Sequence, residues 1–470
     1  MSKHTLIILL VLVLLTAVVI TGQLFKESQT SRAGVTRSAS AEPSQQVMPT
    51  SGGTLRWRKE SFSGYGWSTS PQAPRATTQA LSRATQEGSA APNFVIVFYG
   101  PQFKAEEIRD ALHKVPNVNP HIFGMSTHEG ILCADGYHTS KTGVIGLVAV
   151  QIQGISPGVG CASFEEALPA QAAKLALRRA IADAGPVAAG RKPAMIFLTV
   201  TSPNEDVVVA SLGEESGPNI PLIGGTTAGS IDVTTGKRLP TWSMIANDQV
   251  IKSGVAVTVF YSERDFAWSF GGGYRRTSTS GVVTKGEGRI INEIDHRPAA
   301  EVYDQWLGGR VTQGSRQGIN VAQFCALYPL CQTEGTYNQF IRVWPSSDPK
   351  APGSLQTLVD IHVGETLYFS EGTWNILLNH FASVPQKARD SRPDLSPMAG
   401  VFVYCGGAMS CIPPDQRPQM AFLVEQSMKG VPWMGVFSWG EQGNIPNVGN
   451  LHSSLSAATA FMPAPRTTEP

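Results

Sequence analysis

The apolar and polar positions of this chain fall into three regimes. From Leu6 to Phe25 the sequence reads LIILLVLVLLTAVVITGQLF, without a charge. About 20 apolar residues, rising roughly 1.5 Å each, span a hydrocarbon core of about 30 Å. This predicts a transmembrane signal anchor over 1–25. The run exceeds the usual apolar stretch of a cleaved signal, about 7–15 residues, and Val19, Ile20 and Thr21 make a poor cleavage site. A cleaved signal is the alternative. Residues 26–92 are rich in Ser, Thr, Gln, Ala, Pro and Gly and show no helical or strand period. Such a segment buries too little apolar area to offset its ordering entropy, which predicts a disordered linker. Leu55 to Trp67 is aromatic enough to touch the folded part.

The third regime opens at Asn93. NFVIVFYG (93–100), HIFG (121–124), VIGLVAVQI (144–152), AMIFLTV (194–200), PLIGG (221–225) and SGVAVTVFYS (253–262) are short apolar runs of the kind that form buried strands. Between them, 104–114, 164–184 and 205–212 carry helical spacing. In 164–184, Glu165 and Glu166 are expected in the first turn and Arg178 and Arg179 nearer the end. The mixture predicts an α/β or α+β fold, a layered sandwich of mixed sheets and helices in two related lobes. An echo supports relatedness: Pro120, Pro221 and Pro432 each precede a short apolar strand, a glycine and a Ser/Thr-bearing turn. The expected domains are 93–292 and 293–462, with a disordered tail over 463–470.

Composition narrows the function classes. Of 470 residues, 42% are hydrophobic and 16% charged, enough for a large core. A net charge of +1 provides no field for collecting nucleic acid. Lys3 precedes the apolar run and Lys26, Arg32 and Arg37 follow it, so the flanking charges leave orientation open. The expectation is a single-pass membrane protein with an extracytoplasmic globular part. Among six cysteines, Cys325 with Cys331 and Cys405 with Cys411 share a Cys-x5-Cys spacing. Outside the cytosol these pairs can close disulfides; inside it they would be free, buried thiols.

Candidate chemistry centres on the glycine-hydroxyl turns. A strand ending in glycine lets backbone N–H groups approach a ligand, and Ser126, Thr127, Gly224, Gly225, Thr226 and Thr227 would add hydroxyl donors or space beside a small polar ligand. The other reading of these glycines is close packing of strand on helix. Glu441, in an apolar aromatic stretch, would be poised to bind an amine or act as an acid or base if buried, and otherwise caps a turn. A hydrolase pairing Glu441 with His452 is one alternative. No histidine group has zinc spacing, Ser438 is not in a nucleophile elbow, and the GGG at 271–273 reads as an ordinary turn.

In order along the chain, these blocks resemble the FIST family (F-box and intracellular signal transduction proteins). Pro120 to Gly130 and Pro221 to Gly229 resemble its N-terminal turns. VVTKGEGRIINEIDHRPAAEVYDQWLG (282–308) is similar to its junction. Arg342, VGETLYF (363–369), VFVYC (401–405), Glu425 and GVFSWGE ending at Glu441 resemble its C-terminal region. One departure stands out: the arginine usual after the cysteine at 405 is replaced by Gly406, Gly407 and Ala408. The resemblance implies a non-enzymatic sensory domain binding a small ligand such as an amino acid, with Arg342 and Glu441 among the site residues. It implies no obligatory cofactor, although some relatives are haem-containing nitric-oxide sensors. No output domain is recognised, so signalling would pass through a separate protein.

Overall fold

The computed structural model describes residues 61–86, 91–115, 119–231 and 238–465. The expected anchor over 1–25, the first part of the linker and the end of the tail lie outside them. Among the described residues no helix is long and apolar enough to cross a membrane.

The architecture is three copies of one unit around a common core. The first copy runs β1 (Phe62–Ser68), α1 (Ala73–Ala84), β2 (Phe94–Tyr99), α2 (Ala105–His113), β3 (His121–Ser126), a hairpin of β4 (Gly130–Cys133) and β5 (Gly136–Thr139), then β6 (Ile145–Gln151). The second runs β7 (Ile155–Ser163), α3 (Pro169–Asp183), β8 (Met195–Val200), α4 (Glu205–Ser216), β9 (Leu222–Thr226), a hairpin of β10 (Met244–Ala246) and β11 (Gln249–Ile251), then β12 (Gly254–Ser262).

The third copy starts with β13 (Ala267–Gly272) and is interrupted by an inserted layer. That layer holds β14 (Arg275–Glu287), β15 (Ile290–Ile294), β16 (Arg297–Pro298), α5 (Ala299–Trp306), α6 (Arg310–Arg316), α7 (Val321–Cys325), β17 (Leu330–Glu334), β18 (Tyr337–Ile341), β19 (Val343–Pro345), β20 (Leu355–Thr357) and β21 (Thr366–Glu371), with its strands in one sheet. The copy resumes with α8 (Trp374–Ser391), β22 (Pro397–Cys405), α9 (Gly406–Ser410), α10 (Pro418–Met428) and β23 (Trp433–Ser438). A hairpin of β24 (Glu441–Ile445) and β25 (Gly449–Ser453), then β26 (Ser456–Pro463), completes it.

The three units exchange hairpins cyclically. β4 pairs with β23, β10 with β3, and β24 with β9, so each unit completes a neighbour's six-stranded sheet. In each of these three sheets the central pair is parallel: β2 with β3, β8 with β9, and β22 with β23. Alternation along the strands explains the continuous apolar runs. Phe94, Ile96 and Phe98 face a shared core with Met195, Phe197, Val401 and Val403. Val95, Val97 and Tyr99 face the helices of the first unit. Ile196, Leu198 and Val200 face those of the second, and Phe402 and Tyr404 those of the third. Each such buried side chain contributes roughly 1.5–3 kcal/mol.

Several expectations change. The fold is α+β with mixed sheets, but two related lobes give way to three units, because the strands after Pro120, Pro221 and Pro432 are equivalent members of parallel pairs. The linker expected over 26–92 includes ordered chain: β1 pairs with β6 over seven residues and α1 packs on β1. The reason is steric. A Cβ on Gly64 would lie 2.0 Å from the Ala84 carbonyl oxygen, and one on Gly66 2.0 Å from that of Ala80, so the bare strand admits an alanine-faced helix. Gly158 and Gly160 serve α3 in the same way, with added Cβ atoms 2.2 Å and 2.3 Å from Ala180 backbone atoms. The helix expected at 164–184 begins at Pro169, proline being favoured in a first turn. Glu166 stays outside it, with Arg179 Nη2 2.5 Å from its Oε1. Gly271 and Gly272 close β13. All six cysteines are free thiols, five of them buried.

Candidate functional site

The hydroxyl groups at the ends of the central strands are occupied by the fold itself. Ser126, Thr226 and Ser438 are the last residues of β3, β9 and β23, and all three are fully buried. Ser126 Oγ lies 2.9 Å from Thr227 Oγ1 and donates to the Ala228 carbonyl at 2.8 Å. Thr127 Oγ1 donates to the Phe437 carbonyl at 2.9 Å, tying the first unit to the third. Thr226 Oγ1 donates to Glu205 Oε1 at 3.1 Å and accepts from Gln442 Nε2 at 3.0 Å. Gly224 and Gly225 face close packing: a Cβ on Gly224 would lie 2.2 Å from the Leu198 carbonyl oxygen, and one on Gly225 2.9 Å from Ser438 Cβ. These groups join three sheets where strand ends would otherwise leave buried donors unpaired.

Above this junction opens a cleft of about 670 Å³. The turns after β3 and β9 supply His128, Glu129 and Arg238; α9 and the end of β23 supply Gly407, Ser410, Phe437, Ser438 and Trp439. The inserted layer closes it with Asn320 and Gln323 at α7, and with Arg342 and Trp344. Of the residues expected from sequence to touch ligand, Arg342 lines the cleft. Ser126, Thr127, Gly224, Gly225, Thr226, Thr227 and Glu441 are not among its lining residues. Arg238, Glu129 and His128 were missed because they lie in polar turns, where nothing in sequence separates a cleft residue from a solvated one. Trp439 lay within the aromatic block already noted.

Among the described residues, both arginines are held without a carboxylate. Arg342 donates from Nη2 to the Ala322 carbonyl at 2.9 Å, while its buried Nε has no hydrogen-bond partner. Gly407 makes room for it, since a Cβ there would lie 2.8 Å from Arg342 Nη1. The residues that replace the expected arginine after Cys405 therefore admit an arginine from another element. Arg238 lies across the Trp439 ring, its Cζ 4.3 Å from the centroid, and Trp242 meets that ring edge-on. Its side chain is exposed at the rim yet surrounded by cleft walls. Desolvation by those walls, then the Arg342 charge, lowers its pKa to about 10. Among the described residues neither guanidinium forms an ion pair.

Glu441 lies beneath the floor, fully buried. Ser438 Oγ is 2.7 Å from its Oε1, and the Ser456 N–H donates to Oε2 at 3.0 Å. Burial pushes its carboxyl up to about 8, against those hydrogen bonds. It is a neutral hydrogen-bonding group near pH 7, which corrects its expected use as a charged partner for an amine. The hydrolase pairing fails on geometry. Glu441 stands opposite Ser453, while its neighbour Gln442 stands opposite His452, and successive strand residues point to opposite faces. His452 Nδ1 lies 3.1 Å from Gln442 Nε2 on that other face.

There, Glu205 is 2% exposed, and Arg289 Nη2 lies 2.7 Å from its Oε2 and 2.8 Å from Asp206 Oδ2. Burial raises the Glu205 carboxyl, but the fields of His452 and Arg289 outweigh it and hold it below its usual value.

Among the described residues no group of three or more His, Cys, Asp and Glu is placed to hold a metal. Haem does not fit the cleft. His128 borders it, but two guanidinium groups, Asn320, Gln323 and Ser410 present polar groups where a porphyrin needs an apolar slot.

The protein has a cleft with the size and mixed polar and apolar lining of a small-ligand site. Its family follows from sequence comparison: residues 93–297 match the FIST N domain and 299–444 the FIST C domain. The chain belongs to the FIST family, whose domains are sensory modules thought to bind small ligands. The matched boundaries cut across the three units: they begin after β1 and α1, divide inside the inserted layer and stop before β25. Over 114 residues the chain is 31% identical to an uncharacterized protein of Methanocaldococcus jannaschii, covering 24% of this chain and 20% of that protein. The chain thus spans about a fifth of the length of this curated relative. Among solved structures, a cyanuric acid hydrolase from A. caulinodans aligns over 86% of this chain and 100% of its own, with 8% identity and a TM-score of 0.30. That score carries nothing over to this chain.

Proposed function

We propose that the protein is a membrane-tethered sensor that binds a small carboxylate-bearing ligand, such as an amino acid, in this cleft and signals through a separate partner. The observation that carries the reading is the pair of guanidinium groups, Arg238 and Arg342, lining one cleft without carboxylate partners among the described residues. Like charges held together in a concavity destabilise the empty site, and an anion forming charge-assisted hydrogen bonds with them offsets that cost. Trp344, Phe437 and Trp439 supply apolar walls, the usual mix of a small-ligand site. The apolar run from Leu6 to Phe25 supports the tether. Signalling through a partner is consistent with described residues wholly occupied by the three units and the inserted layer.

The test is calorimetric titration of the full chain in detergent with L-leucine, L-glutamate and acetate, repeated on Arg342→Gln. Binding by at least one probe is expected, with Arg342→Gln weakening it roughly 10–100-fold, the scale of one charge-assisted hydrogen-bonded contact. Arg342 is partly exposed, so the ligand-free melting temperature should stay within a few degrees. Undiminished affinity in the variant would remove the cleft as the site.

A further inference from the structure

The charged groups that line the cleft also bear on which carboxylate ligand it takes, an inference that rests on the reading above. Two lining groups are permanently cationic, Arg238 and Arg342, and one lining carboxylate faces them, Glu129. Glu205, the nearby buried acid, is hydrogen-bonded to Arg289 and Thr226, and its field at Arg238 is opposed by that of Arg289. Glu129 keeps a partly exposed side chain, and among the described residues its ion-pair partner is His128, at 3.9 Å. Among the described residues, lining charges therefore leave one positive charge in excess, spread over two guanidinium forks that come from different elements. Arg342 reaches the cleft from the inserted layer through the gap left by Gly407, and Arg238 comes from the turn after β9 across the Trp439 face. Two carboxylates on one ligand give each fork its own partner.

We propose that the cleft selects a ligand with two carboxylate groups, one for each of Arg238 and Arg342, with Glu129 positioned for an ammonium group on the same molecule. The net charge of such a ligand, an acidic amino acid, is opposite to the excess on the lining. A simple dicarboxylic acid shares the two-carboxylate chemistry without using Glu129.

The experiment is a titration of the full chain in detergent with L-glutamate, L-aspartate, succinate, L-glutamine, L-leucine and inorganic phosphate. Acidic ligands are expected to bind roughly 10–100-fold more tightly than glutamine, the amide counterpart that loses one charge-assisted contact. Arg238→Gln should bring the glutamate and glutamine affinities to within about threefold of each other by weakening glutamate the more, a pattern that general damage to the site would not produce. Arg238→Lys, which keeps the charge but not the fork, should fall between. Binding of succinate but not glutamate supports the two-carboxylate cleft and removes the role given to Glu129. Equal affinity for glutamine, leucine and glutamate overturns the inference and leaves the carboxylate sensor standing. Binding of phosphate alone also overturns it, and no binding by any probe overturns both.

Discussion

At pH 8 the Glu441→Gln variant is expected to be markedly more stable than the parent protein, and at pH 5 nearly equal to it. Glu441 is fully buried, and its carboxyl is raised from 4.5 to about 8 in the folded state. Below about pH 4.5 both folded and unfolded chains hold the proton, and the group adds no pH dependence. As pH rises from there towards 8, the unfolded chain releases its proton while the folded chain keeps it. Folding stability therefore falls with rising pH across that window, by about 4–5 kcal/mol for a shift of this size. Above pH 8 the loss is complete. Cys405, the neighbouring thiol, is pushed up to about 12 by burial and is silent in the same window. Glutamine keeps the shape and a carbonyl acceptor for the Ser456 N–H without an ionisation to suppress. Urea unfolding at pH 5 and pH 8 reads the effect, and parallel pH dependence in both proteins would sink it. The same property sets how Glu441 serves the cleft: it fixes Ser438 in the floor as a neutral partner and adds no charge to the ligand site near pH 7.

Arg289→Met is the second large effect, an expected loss of about 3–5 kcal/mol. Arg289 is 10% exposed and bridges Glu205 and Asp206 of α4 to Asp360 of the inserted layer. Removing the guanidinium leaves Glu205 in the interior with Thr226 Oγ1 as its remaining side-chain donor. Stranding one partner of a buried ion pair costs far more than the intact pair contributes. Adding Glu205→Gln to Arg289→Met should recover much of the loss, because no buried charge is then left over. Denaturant unfolding of the two variants decides it: a single variant within about 1 kcal/mol of the parent would show that the carboxylate finds water or another donor. The same cluster joins the second unit to the inserted layer that carries Arg342, so the double variant also asks whether cleft affinity depends on this joint.

The elements that were legible in the chain are those whose signal is local. NFVIVFYG and AMIFLTV read as strands because both of their faces are buried, one in the shared core and one under helices, giving unbroken apolar runs. The Pro-strand-Gly echo marked the second strand of each parallel pair in all three units. Its third occurrence was visible at Pro432, yet two related lobes were expected, because the inserted layer separates the third unit's first strand from its remainder by about a hundred residues. The first unit's opening was misread for a different reason. FSGYGWS is short, half-buried and polar between its aromatics, and the linker composition around it concealed the Gly-x-Gly that admits α1. The same Gly-x-Gly in ISPGVGCAS was the available signal, since both strands hold a helix against bare backbone. A fragment beginning at Asn93 would amputate that unit and expose the edge of β6.

Sequence alone determined the family, the main strands and helices between Asn93 and Ser262, the apolar N-terminal run and the membership of Arg342 in a conspicuous block. Tertiary structure decided which polar groups face a ligand. Ser126, Thr127, Thr226 and Thr227 have the composition of a binding turn, but cyclic exchange of hairpins brings strand ends together, and their hydroxyls satisfy one another, nearby carbonyls and, for Thr226, Glu205 and Gln442. Arg238 and Arg342 are about a hundred residues apart and carry no shared motif. Only the closure of three sheets, with a layer inserted in the third, places both in one cleft. Hydrophobic periodicity acts over a few residues and is written in the chain; convergence of unpaired charges depends on how distant elements pack, and local pattern does not encode it.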